Sequence, residues 1–336
     1  MQLAVATHRN RLGVRMKVHV ALLAVIASLA SPGTAFAQKY PERAVHFIVP
    51  YAVGGGTDII ARVVGQKLSE LWGQPVVIDN RPGAGSTVGT TAAVKATPDG
   101  YTMVMSSISM AFDSAIYKHL PYDPVKDLAP VSLVASQPNI MVVNASLPAK
   151  SIPELIALAK EKPGVINYAS GGSGSGPHLA MELFKSMAGV NLTHVPYKGT
   201  ALALNDVLSG EVQVMISVTV SAEPLLKSGR IRALAVTGDT RSANLPDVPT
   251  VAESGVPKYS FTTWYGIQVP AKTPPAIVER INADVAKVLQ APDVRERLVT
   301  LGVQPMASSS AEFGTMVRSE IAKWTKVADA IGLAAN

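Results

Sequence analysis

The chain has 336 residues, 48% apolar and only 16% charged, with a formal net charge of +6 and no cysteine. This length and apolar content suffice for two hydrophobic cores. The lack of thiols excludes a disulfide framework, a cysteine-linked lipid anchor, thiolate metal sites and a cysteine nucleophile.

The first residues read as a targeting segment. Arg9, Arg11, Arg15 and Lys17 precede an apolar run over residues 20–30, followed by Ser31-Pro-Gly33 and Ala35-Phe-Ala37. A basic start, a short apolar run and an A-x-A site form a cleavable secretory signal, so cleavage is expected after Ala37 and the mature protein in the periplasm. The run falls short of the roughly 20 residues that span a bilayer. Met16 offers a later start with a signal of ordinary shape. Losing residues 1–37, which carry four basic and no acidic side chains, lowers the formal charge from +6 to +2. A nucleic-acid partner thereby loses its main support.

The mature chain begins with a strand over Val45–Val49 feeding the loop Pro50-Tyr-Ala-Val-Gly-Gly-Gly-Thr-Asp58. An amphipathic helix is expected over 58–72, stopped by Gly73. A strand over 76–79, a helix over 87–96 and a strand over 101–106 complete a βαβ pattern that implies a parallel sheet. Residues 113–130 are loop-rich. Two apolar runs, 131–134 and 140–143, are separated by Gln137-Pro-Asn139, where the chain is expected to cross from one lobe to another. Ser151-Ile-Pro-Glu154 is a capping box for a helix to about residue 160. A strand over 165–169, a second Gly/Ser loop, a helix over 178–188, a strand over 194–197, a helix over 201–209 and a strand over 212–217 form a second α/β lobe. Residues 231–237 read as a buried strand near the return crossing. Residues 245–250 and 270–275 and the Trp264-Tyr-Gly266 segment read as loop and strand punctuation, with Trp264 and Tyr265 as a hinge or cleft wall. The last third is helical, over 276–290, 292–301 and a final helix capped by Ser309-x-x-Glu312. Trp72 and Trp324 fall on apolar helix faces and read as core.

The chemistry lies in the two loops. Each joins a strand to a helix start through Gly and Ser, leaving backbone N–H groups and the helix dipole to face an anion. A dinucleotide fingerprint fails at Pro177, and Lys198-Gly-Thr200 reverses the P-loop order. A serine hydrolase would place its nucleophile in Gly171-Gly-Ser-Gly-Ser175, but only His178 and His194 follow it, and neither is the late histidine the chain order requires. Ser173 and Ser175 read as hydroxyl donors or helix caps. His46, His119, His178 and His194 lack metal-ligand spacing, so no metal or cofactor is expected. His178 either faces solvent at a helix start or faces a ligand. Arg81 belongs to an Asn-Arg-Pro-Gly turn.

Seven motifs then stand in register: Gly54-Gly-Gly-Thr-Asp58, Asn80-Arg-Pro-Gly-Ala-Gly85, Pro98-Asp-Gly-Tyr101, Ser173-Gly-Ser-Gly-Pro-His178, Val195-Pro-Tyr-Lys-Gly199, Pro249-Thr250 with Glu253-x-Gly255, and Trp264-Tyr-Gly266. Together they resemble the Bug family, the extracytoplasmic solute-binding proteins of tripartite tricarboxylate transporters. The resemblance implies a two-lobe α/β Venus flytrap, type II-like, with a mixed sheet in each lobe and crossing hinge strands. Lobe 1 is expected to hold residues 38–138 and 238–336, and lobe 2 residues 139–237. It implies a non-enzymatic monomer that captures a small carboxylate and delivers it to membrane transport subunits. Carried onto this sequence, the ligand set is Tyr51, Val53, Gly54, Gly55, Thr57, Ser170, Ser173, Gly174, Ser175, His178 and Ser217. Ser106, Ser107, Tyr197 and Gly199 line the cleft more loosely. Asp58 belongs to the set as the group that holds its loop and helix start. Where the family carries an aromatic-Asp pair, this chain has Ile216-Ser217. The missing acid at 217 makes an amino-acid ligand a poorer fit. An exported serine hydrolase, or a sensor presenting its closed form to a receptor, are the alternatives.

Overall fold

The computed structural model describes residues 40–330, apart from 118 and 243. The signal segment and its cleavage site therefore lie outside the described residues. In chain order the elements are β1 (Val45–Val49), α1 (Gly56–Trp72), β2 (Val76–Asn80), α2 (Thr87–Val94), β3 (Thr102–Ser107), α3 (Ile108–Ile116), β4 (Leu128–Asn144), α4 (Ile152–Glu161), β5 (Asn167–Ser170) and α5 (Gly176–Ala188). They continue with β6 (Thr193–Pro196), α6 (Thr200–Ser209), β7 (Val214–Val218), α7 (Thr219–Leu226), β8 (Ile231–Val236), β9 (Thr262–Pro270), α8 (Pro275–Gln290), α9 (Pro292–Thr300), β10 (Gln304–Pro305) and α10 (Ser310–Ala330).

One long strand ties the sheet together. β4 pairs antiparallel with β9 as far as Pro138, and from Asn139 onward it pairs with β7 and β8 instead. On the first side β1 runs parallel to both β2 and β3, while β9 runs antiparallel to β3. On the second, β5 runs parallel to β6 and β7. Each half-sheet is thus mixed, as the two-lobe expectation requires. The apolar runs around Gln137-Pro-Asn139 are one continuous 17-residue strand, not two broken ones. Pro138 is tolerated because it sits where β4 changes partners, and a missing N–H leaves nothing unpaired there. Its carbonyl accepts from Thr219 Oγ1 at 2.7 Å.

Asn139 is the buried knot of the crossing. Its N–H donates to Thr237 Oγ1 at 2.7 Å, its carbonyl accepts from the Thr237 N–H at 2.8 Å, and its side-chain oxygen accepts from Thr263 Oγ1 at 2.9 Å. The three segments that pass between the half-sheets are therefore fastened at one point.

Several elements depart from the sequence reading. α3 begins with six successive buried residues, which blurs the 3.6-residue period that reveals surface helices. α7 carries Pro224 within it and is likewise unannounced. β9, expected as punctuation, is a nine-residue strand at the centre of the first half-sheet, with eight of its residues buried. Both capping boxes stand: Ser151 Oγ accepts from the Glu154 N–H, and Ser309 and Glu312 bond reciprocally at 2.8 and 3.2 Å.

α10 returns to the first half-sheet and packs on α3. Phe112 meets Trp324 edge to face, with ring centroids 5.9 Å apart, and Phe261 covers the same indole. Trp324 is core as read from the sequence, whereas Trp72 is only half-buried and donates to Asp284. Phe313 of α10 lies against Gly266 of β9 so closely that a Cβ there would fall 2.0 Å from the ring. Gly266→Ala should destabilise the fold by roughly 1–3 kcal/mol through overpacking, and Phe313→Leu in the same chain should recover part of that loss. Urea unfolding of the three variants tests this, and an unchanged midpoint for Gly266→Ala would contradict the packing.

Candidate functional site

The half-sheets meet along the two Gly-rich loops, which border an inner cavity of about 30 Å³. Its wall is built from helix starts: Gly55, Gly56 and Thr57 of α1, Ser107 and Ser109 of α3, Ser175, Gly176 and Pro177 of α5, Thr200 of α6, and Val218, which precedes α7. Tyr51, Thr263 and Tyr265 complete it. Gly55, Ser107, Gly199 and Val218 precede their helices without a side-chain cap, and only Ser175 provides one, accepting from the His178 N–H. Helix starts from both halves of the molecule thus meet at the cavity, each carrying about half a positive charge; in α5 the Gly176 and His178 N–H groups are already taken by Ser109 Oγ and Ser175 Oγ, and Pro177 has none. No acidic side chain lines this cavity.

A wider cavity of about 370 Å³ lies outside it, between Gly83, Ala84, Gly85 and Tyr117 on one side and Gly171, Gly172, Ser173, Tyr197 and Lys198 on the other. Lys198 is its one charged lining residue and makes no ion pair among the described residues. Tyr51 borders both cavities, its buried hydroxyl beside Ser86, Ser107 and Ser109 without a hydrogen bond of acceptable geometry.

The first loop is held from beneath. Asp58 is buried and accepts from the Gly54 N–H at 2.9 Å, from Asn80 at 2.9 Å and from Arg62 at 3.0 Å. Burial, the largest influence on this carboxyl, would raise its pKa; the Arg62, Gly54 and Asn80 bonds outweigh it and hold the group below the usual range. Asp58 therefore acts on the loop and helix start. The same bond consumes the Gly54 N–H, so that group is not free for an anion as the sequence reading supposed. Gly54 has φ of 85°, whereas Gly55 is in the ordinary extended region, with room for a Cβ. Val53 is exposed and outside both cavities.

The second loop has its own support. Ser170 Oγ bonds the N–H and carbonyl of Gly172 and lies 2.7 Å from His194 Nε2. The Gly174 N–H donates to His178 Nδ1 at 3.1 Å, and the His178 and His194 rings stack 4.1 Å apart. Burial lowers the His178 pKa to about 4 and, with the neighbouring His178, that of His194 to about 3. His178 thus neither faces solvent nor reaches the cavities; it is a neutral prop under the loop. Ser170 and Gly174 stand with it as loop supports. Ser173 and Tyr197 line the outer cavity, Ser175 and Ser107 the inner one, while Ser106 turns away to the Gly266 carbonyl. Ser217 is buried and bonds the Val218 carbonyl, away from both cavities. Arg81 pairs with Asp79, as a turn residue does.

The halves approach closely only because glycine lines the seam. A Cβ on Gly199 would lie 2.8 Å from Ala52 Cβ, and one on Gly85 2.8 Å from the Ser173 carbonyl. Across the same seam the Gly176 N–H donates to Ser109 Oγ at 3.0 Å. Sequence reasoning missed Ser109, Thr200, Thr263 and the Gly83–Gly85 wall, because their place follows from the pairing of distant elements. Tyr265 carried a signal in the Trp264-Tyr-Gly266 motif and does line the inner cavity; Trp264 faces α10 and donates to Glu320. Among the described residues no group of His, Asp and Glu is placed to hold a metal, and no helix is long and apolar enough to cross a membrane.

Residues 60–333 match the model of the tripartite tricarboxylate transporter family receptor, TctC. The BugT protein of Bordetella pertussis is 35% identical over 93% of this chain and 96% of its own. Rpa4515 of R. palustris, solved with adipate, superposes with a TM-score of 0.86 at 38% identity, over 88% of this chain and all of that one. The periplasmic binding protein BugD gives 0.85 at 32% identity over the same shares. MatC of Rhodopseudomonas palustris, with bound malate, gives 0.83 at 32% over 86% and 99%.

Gly54→Ala should cost about 1–2 kcal/mol, the penalty for a side chain in the left-handed region, whereas Gly55→Ala should stay within about 0.5 kcal/mol of wild type. Chemical denaturation of the two variants decides, and equal costs would contradict this account of the loop.

Proposed function

This chain belongs to the tripartite tricarboxylate transporter receptor family, and from that premise we propose that it captures a small organic carboxylate between two lobes and delivers it to the membrane subunits of such a transporter. The observation that carries the reading is the meeting of uncapped helix starts from both half-sheets in one cavity without an acidic side chain. Such a site gives an anion many N–H donors without an arginine. Lys198 adds a positive charge to the outer cavity, suited to a second carboxylate or to steering. Adipate in Rpa4515 and malate in MatC are dicarboxylates, which supports the same class here.

The lobes divide as residues 38–138 with 238–336, and 139–237, where β4 changes partners and Thr237 meets Asn139. The protein works as a periplasmic monomer after cleavage behind Ala37. The hydrolase alternative gains no support, since His178 Nδ1 is taken by Gly174 and His194 Nε2 faces Ser170.

Isothermal titration with adipate, malate and glutamate tests the ligand class. Adipate and malate should bind. Gly55→Val, which adds a branched side chain to a residue lining the inner cavity, should abolish binding while the protein stays folded, and Lys198→Ala should weaken it by about 0.2–1 kcal/mol, as for an exposed charge. Binding unchanged in Gly55→Val would contradict the site, and ester hydrolysis lost in Ser173→Ala would favour the enzyme.

A further inference from the structure

Asp113, in the second turn of α3, takes no part in the site so far described. It is fully buried at the seam. Oδ2 accepts from Ser86 Oγ at 2.7 Å, but Oδ1 has no hydrogen-bond partner among the described residues. That bare oxygen lies between one glycine from each side: a Cβ built on Gly85 would fall 2.9 Å from it, and one on Gly174 2.6 Å. Gly174 belongs to the second Gly-rich loop, so separating the lobes would uncover the carboxyl to water.

The surroundings give an ionised Asp113 no counter-charge. Tyr51, from the loop after β1, and Tyr117 and Tyr122, beyond α3, lie close enough to feel its charge, and burial first and Asp113 second push all three hydroxyls up. Ser86 and Thr87 at the start of α2 offer only neutral donors, their two hydroxyls and the Ser86 N–H. Behind Gly174, His178 is kept neutral. On α10, packed against α3, Glu320 and Lys323 pair with each other at 3.6 Å. Lys198 stands across the outer cavity. Burial accordingly pushes the Asp113 carboxyl up to about 8, with Ser86 and Thr87 pulling only partly against it.

We propose that Asp113 couples lobe closure to uptake of a proton, so that the carboxylate is captured together with one hydrogen ion. The inference rests on the reading of the cleft as a closing carboxylate site. In the open form the hydrated carboxyl titrates near 4, the ordinary range. Closing buries it uncompensated, beside cavities meant for an anion, and the neutral acid is the form that fits. Between these two ranges closure binds a proton, so rising pH favours the open form.

The cysteine-free chain suits the test. Spin labels on Val125→Cys and Val165→Cys, both exposed and one in each lobe, report lobe separation by pulsed electron resonance from pH 5 to 9, without ligand and with adipate. The closed-to-open ratio should fall by up to about tenfold per pH unit across the middle of this range, and Asp113→Asn should make it flat. A pH-stat measurement on unlabelled wild type should show proton uptake as adipate binds near pH 7. A ratio constant with pH, the same slope in Asp113→Asn, or one separation at every pH would overturn the proposal. A pH response without ligand, combined with no effect of adipate, would uphold the coupling and count against the ligand class alone.

Discussion

The starts of α1, α3, α5, α6 and α7 point at one small cavity, and most of these ends carry no side-chain cap. Bringing so many partial positive charges together is costly unless an anion or water answers them. The cost makes the closed arrangement conditional on what fills the cleft. It also explains the lack of arginines and lysines around the inner cavity, where the backbone already supplies the field.

Close approach is the second requirement, and glycine meets it. Gly199 against Ala52, Gly85 against the Ser173 carbonyl and Gly174 against Asp113 leave no room for a Cβ at the seam. Beneath each loop lies a fixed support: Asp58, Asn80 and Arg62 under the first, and Ser170, His178 and His194 under the second. Each loop is thus tied to its own half-sheet, and the segments that pass between the half-sheets are tied together at Asn139.

Much of this was legible in the sequence because it is local. The Gly54-Gly-Gly-Thr-Asp58 and Ser173-Gly-Ser-Gly-Pro-His178 loops, the helix starts behind them and both capping boxes follow from composition and spacing over a few residues. What stayed hidden depends on distant partners. The Gly54 N–H looked free because nothing in the sequence places Asp58 Oδ2 on it. His178 looked free to face solvent or a ligand because its stack on His194 joins α5 to β6, sixteen residues further on. The six buried residues that open α3 concealed both that helix and Asp113, and β9 owes its central place to β3 and β4 on either side. Val53 and Ser217, which the family motifs assign to the cleft, lie outside both cavities, the first exposed and the second buried against the Val218 carbonyl.

A crystal structure of the mature protein grown with adipate tests the central claim most directly. One carboxylate should lie in the inner cavity, accepting from first-turn N–H groups of α1 and of α6 together, with the rest of the chain running past Tyr51 toward Lys198. Adipate held by one lobe alone, or seated in the surface groove of Arg62, Lys67 and Arg297 between α1 and α9, would contradict it.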